Sequence, residues 1–230
     1  NTNIPERVLI SGDIKSISSG GGRCFAIKDD GTVWGWGSNE YGQLGDGTDI
    51  DKNIPTQIPN LEDIELISPG RFHTLVLKKD KKVLAWGYNL HGQLGDGSWK
   101  DSKVPVQVLL EDVKEVSAGE EHSLALLEDG TVWAWGYNYD GQLGDGTNEN
   151  KNIPIQIPNL YNIVQISAGG DSSLALRDDG YVFAWGNNSN GQLGDGTNED
   201  KNYPVKVLNL DNVVKIKACW SNSFALRSDG

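Results

Sequence analysis

The chain contains no methionine and only two cysteines, Cys24 and Cys219. Two thiols in unrelated sequence contexts exclude a disulfide framework and leave the cellular compartment open. Long hydrophobic runs are also missing, because no apolar stretch approaches the roughly 18 consecutive residues that a membrane span needs. We therefore expect no membrane insertion. No signal peptide is visible, but the sequence starts at Asn1 rather than methionine, so the localisation stays unassigned.

Positive charge is scarce as well: 20 lysines and arginines face 32 aspartates and glutamates, which gives a formal net charge of -12. This sign opposes the phosphate neutralisation on which nucleic-acid binding depends, so we expect no nucleic-acid partner. Hydrophobic residues make up 37% of the 230 residues, which is enough to bury a core.

The abundant feature is a repeat rich in glycine and tryptophan. Residues 36–47 read Trp-Gly-Ser-Asn-Glu-Tyr-Gly-Gln-Leu-Gly-Asp-Gly, and near-copies begin at Trp86, Trp135 and Trp185. A proline between apolar residues recurs in the same period, at Pro5, Pro55, Pro105, Pro154 and Pro204. A period of about 50 residues indicates a solenoid, an array or a propeller. We divide this single repeat domain, 1–230, into units 1–50, 51–100, 101–149, 150–199 and a shorter 200–230.

Each unit contains four extended segments. In unit three they are predicted at 113–117, 122–126 and 131–136, followed after a glycine-rich loop by 153–157. Asp129-Gly130 between the second and third segments is a hairpin turn signal. Glycine is too frequent, and the alternation of apolar and polar residues too regular, for helices of ordinary length. The chain is therefore predicted to be all-β.

The third segment of each unit has one bulky aromatic face and one small face. In unit three Trp133 and Trp135 alternate with Ala134. Sheets that stack face to face need such large-to-small complementarity to interdigitate. Four short antiparallel strands that repeat radially form a blade of a β-propeller, and the indoles are then core residues. Glycines that end the first strand are expected where blades converge on the axis, except that Cys219 takes this place in unit five, which we expect to differ locally.

Two motifs resemble the regulator of chromosome condensation repeat family. They are Trp-Gly-x-Asn-x-x-Gly-Gln-Leu-Gly, present four times, and Ser-Ala-Gly-x-x-His-Ser-Leu-Ala-Leu, complete at residues 117–126. Kelch and WD-repeat propellers fit less well. The resemblance covers essentially all of the chain and implies a β-propeller of this type with four-stranded antiparallel blades. The family's usual ring has seven blades, whereas this chain has about 4.6 repeats, which predicts part of a larger or assembled ring. Open blade edges would favour self-association.

The functions that the resemblance implies are diverse. Members include a guanine nucleotide exchange factor for the small GTPase Ran and a secreted bacterial inhibitor that caps β-lactamases. The acidic charge and the absence of a basic tail disfavour the chromatin-linked exchange factor. The uniform repeats are more typical of a bacterial member.

Positions that vary between otherwise matching repeats are the candidates for recognition, since the fixed positions are explained by packing. One variable pair follows the blade glycine and supplies Arg71, Phe72, Glu120, Glu121, Asp171 and Trp220. A second pair precedes Gly-Gln-Leu-Gly and supplies Tyr41, His91 and Tyr139, and Trp99 is an isolated aromatic in an acidic loop. Aromatic residues and arginine are typical of protein interfaces. We expect the first pairs to share one face near the channel mouth.

Catalysis and metal binding have weaker support. The sequence contains no nucleophile-base-orienter set and no phosphate-binding glycine loop after a strand. His73 and His122 share one position in adjacent units, where backbone hydrogen bonding is favoured over a metal site. The acidic loops do not match a calcium-binding pattern, and Gly-Asp-Gly-Thr indicates a turn. The predicted function is a non-catalytic protein-protein interaction module without cofactor or metal. The alternative is a carbohydrate-binding surface that uses Tyr41 and Tyr139, and an exchange-factor-like regulator or a channel-centred enzyme ranks below it.

Overall fold

The computed structural model describes residues 7–230, and the regular structure in this range consists of eighteen β-strands. The first two sheets comprise β1 (Ile14–Gly20), β2 (Arg23–Lys28), β3 (Val33–Gly37) and β4 (Lys52–Ile58), then β5 (Ile64–Pro69), β6 (His73–Lys78), β7 (Val83–Gly87) and β8 (Ser102–Gln107). The next two comprise β9 (Val113–Ala118), β10 (His122–Leu127), β11 (Val132–Gly136) and β12 (Lys151–Gln156), then β13 (Ile163–Ala168), β14 (Ser172–Arg177), β15 (Val182–Gly186) and β16 (Lys201–Lys206). The fifth comprises β17 (Val213–Ala218) and β18 (Ser223–Arg227).

Within each four-stranded sheet the strands lie side by side in chain order, and each pairs antiparallel with the next. The chain therefore forms about four and a half propeller blades, as the repeat predicts. The four segments predicted in unit three agree with β9 to β12 to within two residues. Pro154 lies in the outermost strand, where its missing N–H costs no ladder bond to a neighbour. The first copy of this element, at Ile4 and Pro5, lies outside the described residues.

Stacking between blades follows the predicted pairing of large and small side chains. Ala85 of the second blade shares one buried cluster with Ala125 and Trp135 of the third. The Trp135 indole is fully buried, and its Nε1 donates a hydrogen bond to the backbone oxygen of Gln93 at 2.9 Å. A Cβ atom added at Gly95 would lie 2.7 Å from this Nε1, so the indole rests directly on the glycine. Trp86 and Trp185 make the equivalent contacts.

The prediction that all the indoles are core residues is correct only for these three. Trp34 and Trp133 are half-buried, and each Nε1 donates to a threonine hydroxyl two residues earlier. Trp36 is also half-buried, although it occupies the same repeat position as Trp135. Within residues 7–230 no sheet precedes its blade, so no described blade covers one side of this indole.

The glycines that end the inner strands allow close approach between blades. A Cβ atom at Gly70 would lie 2.3 Å from the backbone oxygen of Gly119, and one at Gly169 would lie 2.5 Å from that of Cys219. These glycines do not have positive φ angles, so space and not backbone freedom is the reason for them. At Cys219 the turn keeps its hydrogen bond, since Cys219 N–H donates to Asn222 O at 2.8 Å as Gly119 N–H does to His122 O at 2.9 Å. The fifth blade nevertheless differs locally, because β18 begins one residue later than β10 and β14 and is exposed along its length.

The loop after the third strand is built around one buried asparagine, which confirms that Gly-Asp-Gly-Thr forms a turn. In the first blade Asn39 Nδ2 donates to the Asp46 carboxylate at 3.1 Å, and its Oδ1 accepts the Leu44 N–H at 2.8 Å. Asp46 also caps the turn by accepting the Thr48 N–H at 2.9 Å. Asp46 is therefore engaged in holding the loop, as are Asp96, Asp145 and Asp195 in the other blades. Within residues 7–230 no helix is both long and apolar enough to span a bilayer.

Candidate functional site

The turns after the inner strands and the long loops after the third strands lie at the same end of every blade, because neighbouring strands run antiparallel. We call this end the tip face; its turns are at 21–22, 71–72, 120–121, 170–171 and 220–221. The turns are hydrogen bonded around the axis: Arg71 N–H donates to Gly119 O, and Glu120 N–H donates to Gly170 O, both at 3.1 Å. This arrangement fixes the variable pairs relative to one another.

Six rings on the tip face form a continuous series across the first three blades, which we call the aromatic row. Its members, in order, are Phe72, Tyr41, Tyr88, His91, Tyr137 and Tyr139. Successive ring centroids are 5.4, 5.1, 5.9, 5.0 and 5.1 Å apart, mostly in edge-to-face orientation. Such pairs stabilise one another beyond their burial. The row ends at Tyr139, whose side chain is 68% exposed.

Arg71 links the row to the fifth blade. Its guanidinium lies 4.6 Å from the Phe72 ring centroid and 4.8 Å from that of Trp220, and it forms an ion pair with Glu120. A cavity of about 300 Å³ beside it is lined by Tyr41, Phe72 and Trp220 among others. The curvature of the blade array therefore brings together side chains that are far apart in the chain.

Carboxylates surround the far end of the row. Glu121 Oε2 lies 3.1 Å from His91 Nε2, and Asp171 Oδ1 accepts a hydrogen bond from Gln142 Nε2 at 3.3 Å. Burial raises the pKa of Asp171, and the charges of Asp140 and Glu121 raise it further, against the opposing effects of Gln142 and Arg71. Burial and the charge of Asp200 likewise raise the pKa of Asp140. This end of the face has a negative potential.

All ten candidate residues lie in the turns and long loops of the tip face, and nine of them lie close together. Arg71, Phe72, Glu120 and Trp220 form one contact group, and Tyr41, His91, Tyr139 and Glu121 join it through the aromatic row. Asp171 is held beside the same carboxylates. Trp99 stands apart: it is 46% exposed, and no aromatic or cation-π contact in residues 7–230 links it to the others.

Tyr88 and Tyr137 are not among the recognition residues predicted from the sequence. They occupy the third position of Trp-Gly-x-Asn, where the first and fourth copies have Ser38 and Asn187. The variation at this one position was the available signal. Both rings are central to the row, and Tyr137 contacts two other members.

His73 and His122 are fully buried between blades and are not on the tip face. His73 Nε2 contacts Ser123 Oγ of the next blade at 2.8 Å, and this hydroxyl donates to the backbone oxygen of Gln93 at 2.9 Å. His122 makes the same contact with Ser173 at 3.0 Å. At Nε2 the partner is a serine side chain and not the predicted backbone group, so the histidines hold the serine that joins two blades. Residues 7–230 contain no group of three histidine, cysteine or acidic side chains placed to bind a metal ion.

The inner strands line a channel cavity of about 300 Å³. Serine side chains in this cavity form hydrogen bonds between neighbouring blades. Ser117 Oγ accepts the Ala168 N–H at 2.9 Å, and Ser167 Oγ accepts the Ala218 N–H at 2.9 Å. Two positions earlier in the strand, Gln165 Oε1 accepts the Ile216 N–H at 2.9 Å and its Nε2 donates to Ile216 O at 3.3 Å. Glu115 occupies the equivalent position in the third blade and accepts the Ile166 N–H only at 3.4 Å.

We expect Glu115→Gln to stabilise the protein at alkaline pH. Burial raises the pKa of Glu115 to about 7, so its contribution to stability is present below about pH 4.5 and lost as the pH rises through 7. Glutamine would make both backbone bonds that Gln165 makes, without a buried charge. Each pKa unit corresponds to about 1.4 kcal/mol, so allowing for partial exposure we expect a gain on the order of 2 kcal/mol at pH 8.

Urea unfolding of both proteins at pH 4.5, 6 and 8 measures this difference. The gain should grow with pH and be small at pH 4.5. A gain that does not depend on pH would contradict the assignment to the Glu115 carboxylate.

Family models agree with the architecture. The RCC1-like domain model matches residues 1–170, and two models of the regulator of chromosome condensation (RCC1) repeat match residues 179–226 and 163–192. No curated protein has a sequence that matches this chain significantly.

Solved structures share the fold at low sequence identity. Prp20p from Saccharomyces cerevisiae, described together with its binding to Gsp1p and histones, superposes with a TM-score of 0.85 at 22% identity over 96% of this chain and 57% of that one. Human WBSCR16 superposes with a TM-score of 0.86 at 23% identity over 97% and 60%. Yeast RCC1 (Prp20) bound to Kap60 superposes with a TM-score of 0.85 at 21% identity over 96% and 56%. The chain thus spans somewhat more than half of the length of each.

Proposed function

Because this chain belongs to the regulator of chromosome condensation (RCC1) repeat family, we propose that it is a non-catalytic module that binds a protein partner through its tip face. The observation that carries the proposal is the aromatic row with its arginine: six rings in contact, next to a guanidinium held between Phe72 and Trp220. The packing of the blades accounts for none of these side chains.

The composition of the tip face is that of a protein interface. Tryptophan, tyrosine and arginine dominate binding energy where partners meet, and here they are held rigidly. Tyr139 and Trp220 are exposed, whereas Tyr41, Phe72 and Arg71 are half-buried and supported by neighbours. A supported aromatic side chain loses little conformational freedom when a partner binds, so more of the contact energy remains as affinity.

Related propellers bind proteins, and this supports the class of function. Yeast Prp20p has been described with Gsp1p, histones and Kap60. Because these structures are only 21 to 22% identical to this chain, they support its fold but do not indicate which partner it binds. RCC1-like propeller proteins are typically regulators or exchange factors and not catalysts of covalent chemistry, and the channel serines and buried histidines here have structural roles.

A pair of exposed tyrosines at opposite ends of the blades tests the proposal. Tyr139, on the tip face, is 68% exposed, and Tyr161, in the turn between β12 and β13 at the other end, is 60% exposed. Each is replaced in turn by the photo-crosslinking amino acid benzoylphenylalanine, and the two proteins are irradiated in a lysate of the organism that encodes the chain. We expect specific protein adducts from position 139 and none from position 161.

Both variants should have the melting temperature of the parent protein, because neither tyrosine is buried. Equal adducts from the two positions, or adducts from position 161 alone, would contradict the assignment of the tip face. Specific retention on a glycan array, lost on Tyr139→Ala, would instead favour the carbohydrate-binding alternative.

A further inference from the structure

We propose that the tip face contains an arginine-binding site centred on Tyr137, which takes the guanidinium group of an arginine in the partner protein. This inference rests on the proposed function, because it names the chemistry that the partner presents to the same face. It goes beyond that function in assigning a defined group of rings and carboxylates to one type of side chain.

The rings supply a stacking surface. The Tyr137 ring centroid lies 5.0 Å from that of His91 and 5.1 Å from that of Tyr139. Its backbone N–H donates to Glu121 O at 2.9 Å, which fixes the ring beside the turn of its own blade. A guanidinium is planar and weakly hydrated, and it stacks on aromatic rings better than an ammonium group does.

The carboxylates supply the charge. Besides burial, which is the largest cause, the charges of Asp140, Asp171 and Glu121 raise the pKa of Tyr137, so all three carboxylates lie near enough to act on its hydroxyl. The ion pairs in residues 7–230 include no lysine or arginine bound to Asp140 or Asp171. The nearest cation, Arg71, is already paired with Glu120. An added positive charge would therefore be attracted to this end of the face.

The tip face already binds one arginine with the same chemistry. The guanidinium of Arg71 lies between the rings of Phe72 and Trp220 and pairs with the Glu120 carboxylate. Aromatic rings with carboxylates beside them recur around Tyr137, one blade further along the array. This internal example is the reason for preferring arginine to lysine as the partner side chain.

A buried amide beneath the site adds an independent observation. Gln93 is fully buried, and its Nε2 has no hydrogen-bond partner among residues 7–230. The equivalent Gln142 donates to Asp171, which occupies the position of Glu121 in the next blade. The Glu121 carboxylate is instead engaged by His91. A guanidinium that replaces His91 as the ion-pair partner of Glu121 would let this carboxylate turn to accept the Gln93 N–H as well, as Asp171 accepts that of Gln142, so binding would satisfy a buried donor.

Peptide binding tests the inference. The probe is a fluorescein-labelled peptide of alternating serine and arginine, and its control is the same peptide with citrulline, the neutral isostere of arginine; fluorescence anisotropy is measured at physiological salt. We expect Asp171→Asn and Tyr137→Ser each to weaken binding of the arginine peptide at least tenfold. Asparagine keeps the acceptor for Gln142, and serine occupies this position naturally at Ser38, so both variants should fold. We expect Asp178→Asn, an equal charge change in the exposed turn at the other end of the blade, to leave binding unchanged.

Equal binding of the citrulline peptide would overturn the arginine site, because it would show that the positive charge of the peptide is not recognised. An equal loss of binding in Asp178→Asn and Asp171→Asn would also overturn it, because it would show that the position of the carboxylate does not matter. Absence of arginine-peptide binding would also overturn it. If the crosslinking at position 139 succeeds while the peptides fail, the tip face remains the binding surface and only the arginine assignment is wrong. If position 139 forms no adducts, the proposed function itself fails.

Discussion

Trp135→Ala should destabilise the protein by about 3 to 5 kcal/mol, the loss typical of removing a fully buried large aromatic side chain. The indole contributes twice: it fills the space above Gly95 between two blades, and its Nε1 satisfies the backbone oxygen of Gln93. Alanine can do neither. Urea unfolding of the purified chain, followed by circular dichroism, measures the change in the free energy of unfolding.

The matched control is Trp36→Ala, at the same repeat position in the first blade. This indole is only half-buried, so we expect less than half of the loss seen for Trp135→Ala. The comparison separates packing between blades from any intrinsic effect of tryptophan in the strand. Equal losses for the two variants would contradict the stacking described for β7, β11 and β15.

Acidification from pH 6.5 to pH 5 should destabilise the protein by about 3 kcal/mol through His73 and His122 alone, since each histidine contributes up to about 1.4 kcal/mol per pH unit and its unfolded form is already half protonated at pH 6.5. Burial, with smaller contributions from the charges of Arg23 and His122, lowers the pKa of His73 to about 3. Burial lowers the pKa of His122 to about 4, against a hydrogen bond to the backbone of Gly170 that raises it. Folded pKa values below the unfolded value mean that stability is present above about pH 6.5 and is lost as the pH falls.

The variant His122→Asn isolates this effect, because Asn222 occupies the same position in the fifth blade. In the parent protein the two histidines together lower the free energy of unfolding between pH 6.5 and pH 5. In His122→Asn only His73 remains, so this histidine-dependent loss should be about half as large. The comparison uses the slope with pH, because the substitution also changes packing. An unchanged slope would show that His122 takes up no proton on unfolding.

The fold was predictable from the sequence because the residues that determine packing recur at regular spacings. Alternation in the segments around Trp135 assigns each residue to one of two faces, and the 50-residue repeat supplies the neighbouring sheet. The pattern cannot show whether a given repeat has an adjoining blade on each side. Trp36 has the sequence of a core residue and the surroundings of a surface residue, because burial depends on the adjoining blade and not on local alternation.

The candidate site was only partly predictable. Variation between repeats pointed to Arg71 and Trp220, but their contact depends on the curvature of the array, which no local pattern specifies. Loop side chains have no fixed periodicity, so the path of the aromatic row from Tyr41 to Tyr139 could not be read from spacing. Tyr137 was overlooked because it stands inside a conserved-looking motif of the repeat.

The most direct test of the central claim is an amide hydrogen-exchange comparison of the free chain with its complex, once a crosslinked partner has been purified. The tip face and the opposite end of each blade serve as internal references for each other. We predict slowed exchange at residues 38–43, 71–73, 88–92 and 137–141, and unchanged exchange at the Asp-Gly turns near 30, 129 and 179. Protection concentrated at those turns, with the tip face unaffected, would contradict the account.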